Sequence, residues 1–194
     1  MSEWNKRAVF FFAILILTSI HAEKASAQAI YWENGLSFSK VGKEKRESNY
    51  FTGVGVHYLT KEYFFLSSGL GFQHRGVKFE ASMAEGVPPV TLSDKYITMN
   101  TLFNVKKTVQ HVDFYIGVGP EVSFYLNNKA IPDQTEFFNS TLFGLHCTTG
   151  IRYTEGYWIG GVNFHYQPGL TSVTHSMKLK DKTLAFGASV GYRF

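Results

Sequence analysis

The sequence predicts an all-β chain folded as one eight-stranded antiparallel up-and-down transmembrane β-barrel. Three observations predict it: an N-terminal export segment, aromatic and β-branched segments that alternate with period 2, and connections between them that alternate short and long.

Lys6 and Arg7 precede the apolar run from Ala8 to Leu17, which continues through Thr18-Ser19-Ile20 and ends in Ala25-Ser26-Ala27 before Gln28. A basic start, a short apolar core and a small-x-small site form a secretory leader, too short for a membrane-spanning helix. Cleavage is expected after Ala27, which makes 1–27 a signal peptide and 28–194 a single barrel domain. Of the formal charge of +4, the leader carries Lys6, Arg7 and Lys24 against Glu3 and Glu23, so the remainder carries +3. Its densest cluster, Lys43-Glu44-Lys45-Arg46-Glu47, carries both signs and reads as a solvated loop, so no nucleic-acid partner is expected. The lone Cys147 excludes an internal disulfide.

Strands are expected near 30–39, 50–59, 63–80, 95–106, 111–126, 139–154, 157–168 and 182–194. The first sets Trp32 and Phe38 against Glu33, and the second sets Tyr50 and Tyr58 against Gly53, Gly55 and His57. Phe64 in the third opposes Gly69, Gly71, Gln73 and Arg75, while the fourth contributes Asn100 and Asn104 to the polar face. In the fifth, Val112, Phe114, Ile116, Val118, Val122, Phe124 and Leu126 fall on one face, with Asp113, Tyr115, Gly117, Gly119, Glu121 and Ser123 on the other. The sixth and seventh set Tyr153, Trp158 and Tyr166 against Gly144, His146, Gly150, Arg152, Gly161, Asn163 and His165. The eighth alternates Leu184, Phe186, Ala188, Val190, Tyr192 and Phe194 with Gly187, Gly191, Arg193 and other small or polar residues. Each segment has the ~9–11 residues that a tilted membrane strand needs.

Short connections are expected at 60–62, 107–110 and 155–156, and long ones at 40–49, 81–94, 127–138 and 169–181. Short periplasmic turns and long outer loops are the outer-membrane pattern. A secreted lipocalin-like carrier has the same strand count with the oily face inside. Here glycines crowd the polar face and aromatics sit near strand ends on the other, which places the oily face outward.

The inward face is expected to hold a structural polar network that includes Glu33, Arg75, Glu121, His146, Arg152, His165 and Arg193. Parity suggests a Glu33–Arg193 bridge across the closing seam and an Arg75–Glu121 pair. A two-residue turn at Glu155-Gly156 would set Thr154 opposite Tyr157, Arg152 opposite Ile159, Thr148 opposite Asn163 and His146 opposite His165. Paired imidazoles suit a hydrogen bond better than a metal site, which would need further ligands that His57 is not placed to supply. No metal or cofactor is therefore expected. Catalysis is not expected either, because His175-Ser176 is an adjacent pair with no carboxylate before Asp181. Outer loops with Met83, Val87, Pro88-Pro89 and Val90, and with Ile131, Pro132, Phe137 and Phe138, are candidate binding surfaces.

Three stretches resemble the PorT-like outer-membrane β-barrel proteins of Gram-negative bacteria. They are Gly35-Leu36-Ser37-Phe38-Ser39, the segment Phe164-His165-Tyr166-Gln167-Pro168-Gly169-Leu170-Thr171-Ser172-Val173, and the ending Gly187 to Phe194. The resemblance implies location in the outer membrane and, for some members, a link to a secretion apparatus. It also marks Val190, Tyr192 and Phe194 as the signal read by the barrel-assembly machinery. The function expected is a non-enzymatic scaffold or binding module of a secretion or envelope system, with a lipid-modifying enzyme, a narrow pore and a lipocalin-like carrier as alternatives. Expected partners are outer-membrane lipid, the assembly machinery and a protein on the extracellular or periplasmic side.

N-terminal sequencing of the exported protein should begin at Gln28. Recovery of Met1 at the N-terminus of membrane-embedded protein would contradict the leader reading.

Overall fold

A computed structural model describes residues 28–41, 46–79, 90–126, 139–172 and 180–194, with the side chains at 41, 47, 75–79 and 90–94 outside the description. The expected leader at 1–27 also lies outside the described residues. The described chain forms eight strands: β1 (Ala29–Val41), β2 (Glu47–Tyr58), β3 (Phe64–Phe79), β4 (Val90–Val109), β5 (Val112–Leu126), β6 (Thr141–Glu155), β7 (Trp158–Pro168) and β8 (Asp181–Arg193). Each pairs antiparallel with its sequence neighbours, and β1 pairs with β8 from Ala29↔Arg193 to Val41↔Asp181, which closes the barrel. Gln28 fastens the seam at the end that carries the short turns. Its N–H donates to His57 O at 2.8 Å, its carbonyl accepts from Phe194 N at 3.0 Å, and its side-chain Oε1 accepts from Thr60 N at 2.8 Å.

Alternation decides which face is which. Asn104 and Glu121 are only 1% and 2% exposed on the inner face, whereas Ile116 and Val162 are 66% and 59% exposed on the outer one. The apolar face therefore looks outward, as a lipid-facing barrel requires and a lipocalin forbids. At the turn end the outer face carries an aromatic cluster. Tyr157 stacks on Tyr192 at 5.6 Å, and Trp158 and Phe194 meet Tyr192 edge-on at 5.8 and 5.7 Å. Aromatics at this height form half of an interfacial belt.

Several connections differ from the sequence expectation: strands β1 and β2 take 40, 41 and 47–49 from the connection expected at 40–49, and three others change as follows. The turn expected at 107–110 tightens to Gln110-His111, because β4 continues to Val109. β4 also begins earlier, at Val90, so that 90–94 of the expected 81–94 loop pair with 75–79. Among the described residues, the β2 ladder on β3 ends at Gln73 and the β5 ladder on β4 ends at Lys95, while β3 and β4 stay paired with each other to Phe79↔Val90. Third, Glu155 pairs with Trp158 and the two turn residues are Gly156 and Tyr157, not Glu155 and Gly156. Gly156 takes a φ of +57 at the first central position, a conformation that glycine accepts without strain. This one-residue displacement moves every cross-strand partner by two, so inward residues stay inward but face different neighbours. Thr154 lies opposite Ile159, Arg152 opposite Gly161, Gly150 opposite Asn163 and Thr148 opposite His165.

Close approach of backbones fixes one further position. The β4–β5 ladder runs from Asn100↔Glu121 to Phe103↔Val118 without registered pairs at Thr101 and Leu102, opposite Pro120 and Gly119. Proline has no N–H to give the ladder. A Cβ on Gly119 would strike the carbonyl oxygen of Thr101 and come within 3.0 Å of Leu102 Cα. Neither neighbour is a side-chain tip that can swing away.

Gly119→Val should destabilise the barrel by about 3 kcal/mol or more, read as loss of the heat-resistant folded band on a semi-native gel. Gly160, on the outer face with nothing within 4 Å of a built Cβ, is the control: Gly160→Ala should stay within about 0.5 kcal/mol of the wild type.

Candidate functional site

The barrel interior is braced at two levels. Near the turn end, Arg152 on β6 donates to Asp113 on β5 through Nη2 at 2.5 Å and Nε at 3.2 Å. Strand pairing sets the two directly across from one another, Asp113↔Arg152. The Thr108 hydroxyl donates to Asp113 Oδ1 at 2.6 Å. The third arm of Arg152, Nη1, reaches His57 Nδ1 at 3.0 Å. A guanidinium has only donors, so His57 Nδ1 accepts and its ring keeps its proton on Nε2. That ring stacks on Tyr31 at 4.5 Å and meets Phe65 edge-on at 5.0 Å, and the guanidinium lies 4.6 Å from the Phe65 ring centre. This layer is a charged pair and an imidazole held between aromatic faces.

Deeper in the lumen, four ionisable side chains from four strands form one chain of contacts. Glu121 Oε2 lies 2.9 Å from His146 Nδ1, His146 Nε2 lies 2.9 Å from His165 Nδ1, and His165 Nε2 lies 2.7 Å from Glu33 Oε1. Asn163 Nδ2 donates to the same Glu33 oxygen at 2.9 Å, and the Tyr115 hydroxyl donates to Asn163 Oδ1. The three links between Glu121 and Glu33 each need one hydrogen and have room for one. Side chains fill the lumen here down to a cavity of about 50 Å³, room for about three waters.

The structure places Glu33, Glu121, His146, Arg152 and His165 inside the barrel, in these two layers. It does not form the expected Glu33–Arg193 bridge. Arg193 pairs with Ala29 while Glu33 pairs with Ser189, a separation of about 13 Å along the strands, and Glu33 engages His165 and Asn163 instead. The Arg75 side chain and its expected partnership with Glu121 lie outside the described residues. The two histidines touch, yet diagonally: His165 faces Thr148, and the same register carries His146 past Cys147↔Tyr166 to the level of Gln167. His57 is committed to Arg152. Among the described residues no group of three or more His, Cys, Asp or Glu side chains is placed to hold a metal ion.

Tyr31 and Phe65 were missed as interior partners, although their parity with Glu33 and Ser67 carried the signal, while Tyr115 was placed on the inner face without a partner. His175, Ser176 and the loop residues Met83, Val87, Pro88, Pro89, Ile131, Pro132, Phe137 and Phe138 lie outside the described residues. Asp181 is buried at the start of β8. Val190, Tyr192 and Phe194 stand on the outer face, 47%, 39% and 71% exposed.

His146→Leu removes two of the three links and leaves His165 Nδ1 and a buried Glu121 without the ring between them. It should cost about 3 kcal/mol, read as a lower urea midpoint for the folded band, with a smaller loss for His146→Gln, which keeps hydrogen-bonding groups. An unchanged midpoint in His146→Leu would contradict the chain as a structural brace.

Comparison with known proteins agrees with the fold. Neisserial surface protein A (NspA) superposes with a TM-score of 0.63 at 14% identity, over 89% of this chain and 100% of that one. The outer membrane protein OprG from Pseudomonas aeruginosa superposes with a TM-score of 0.57 at 13% identity, over 88% and 97% of the two chains. No curated protein sequence matches. The sequence model described as "Outer membrane protein beta-barrel domain" matches residues 12–175, and the chain belongs to that family of outer-membrane barrels.

Proposed function

We propose that this chain is a PorT-like, non-enzymatic barrel of a Gram-negative outer membrane, exported by the segment 1–27, that serves as a scaffold or binding module of a secretion or envelope system. The observation that carries this reading is the braced interior. An eight-stranded lumen is just wide enough for side chains, and here they are tied to one another across the bore at two levels. Such an interior favours neither solute passage nor a substrate, and it leaves the two rims as working surfaces. Long loops on a rigid scaffold are where binding usually resides, and a protein partner on the extracellular or periplasmic side is the expected occupant. The outward-facing Val190, Tyr192 and Phe194 suit recognition by the assembly machinery during insertion, and the apolar band suits contact with outer-membrane lipid.

Folded protein in a planar bilayer should give no discrete conductance steps. Regular steps would overturn the scaffold reading in favour of a pore, and turnover of labelled lipid A by the same preparation would overturn it in favour of an enzyme.

A further inference from the structure

The lumen opens at the turn end into a cup of about 430 Å³, within the ~300–1,000 Å³ usual for small-molecule sites. The Arg152–Asp113–His57 layer forms its floor, and Lys106 on β4 and Arg193 on β8 stand in its walls. In the closed order β1 to β8, these two strands lie four apart, on opposite sides of the barrel. Both cations therefore look into the same space from facing walls.

The cup's charge is not balanced by its own side chains. Among the lining side chains, Lys106, Arg152 and Arg193 stand against one carboxylate, Asp113. That carboxylate is already engaged, Oδ2 by two arms of Arg152 and Oδ1 by the Thr108 hydroxyl. Lys106 Nζ forms an ion pair with Oδ2 at 3.8 Å, longer than the ~2.7–3.2 Å of a hydrogen bond. Among the described residues the Arg193 side chain forms no ion pair or hydrogen bond, because the seam register keeps it away from Glu33. A free guanidinium fork and an ammonium group, facing each other over a polar floor, are the donors that oxyanions select. Gln110, His111 and Thr154 add further hydrogen-bonding groups around the rim.

We propose that this cup binds a small dianion, of the phosphate or dicarboxylate class, entering from the periplasmic side, with Lys106 and Arg193 as its primary contacts and Arg152 behind it. Occupancy would neutralise two cations that otherwise repel across the cup, so binding and barrel rigidity are coupled. The site is independent of the outer loops and of the scaffold reading.

The test is isothermal titration calorimetry on folded, full-length mature protein in zwitterionic detergent at low salt, with inorganic phosphate in one arm and succinate in the other. Saturable one-to-one binding in either arm, weakened about tenfold or more in Lys106→Gln and in Arg193→Gln, supports the proposal, and the arm that responds names the anion class. Folding of each variant is verified by heat-dependent gel mobility. Should Arg193→Gln fail to assemble, Lys106→Gln and Arg193→Lys decide, the first losing affinity and the second retaining most of it. No saturable binding in either arm, or binding equal in wild type and Lys106→Gln, overturns the proposal.

Discussion

A β-sheet in hydrocarbon cannot leave an edge open, because each unpaired N–H or C=O there costs several kcal/mol. The β1–β8 seam is therefore the constraint on which the rest of the molecule depends. It runs in register from Ala29↔Arg193 to Val41↔Asp181, and Gln28 fastens its lower end to His57, Thr60 and Phe194. Closure with eight strands fixes a narrow bore, and a narrow bore dictates what can line it. Glycines admit close approach, as Gly119 does against Thr101, and bulky inward residues such as Tyr31, Phe65 and Tyr115 occupy the space the glycines leave.

Once the apolar face is turned to lipid, the polar face has nowhere to go but inside, where ionisable groups must satisfy one another. Arg152 answers Asp113 directly across a strand pair, and its remaining arm is taken by His57. The Glu121–His146–His165–Glu33 chain solves the same problem with shared protons rather than with a guanidinium. Its ends are carboxylates on β5 and β1, so the contact ties together strands that share no ladder. Such a network stabilises the packed bore less than it specifies one arrangement of it, because removing a single member leaves a buried charge. Arg193, released from the seam, lines the cup at the mouth together with Lys106.

Strand positions and the facing of nearly every described side chain were legible in the sequence because the side-chain period in a strand is 2 and the two faces meet opposite environments. Glu33, His146, Arg152 and His165 were found inside on parity alone. What parity cannot convey is which inward residue meets which. That depends on register, and moving the β6–β7 turn from Glu155-Gly156 to Gly156-Tyr157 shifts each partner by two positions while leaving every face unchanged. The Glu33–Arg193 expectation failed for the same reason: both lie near the turn end, but the seam offsets them by four residues. The early start of β4 was obscured by Thr91, Ser93, Asp94 and Lys95, whose polarity resembles that of a loop.

The direction of the oily face is the claim on which the rest stands, and the chain carries its own probe. Cys147 is the one cysteine of the sequence and lies on the outer face of β6, paired with Val118 and Tyr166. The direct measurement is quenching of a fluorophore attached at Cys147 in folded protein reconstituted into vesicles, by brominated lipid chains and by aqueous iodide in turn. Strong quenching by the bromolipid with little effect of iodide is the predicted result. Quenching by iodide with none from the lipid would mean that the sheet is inside out and that the barrel does not span a membrane.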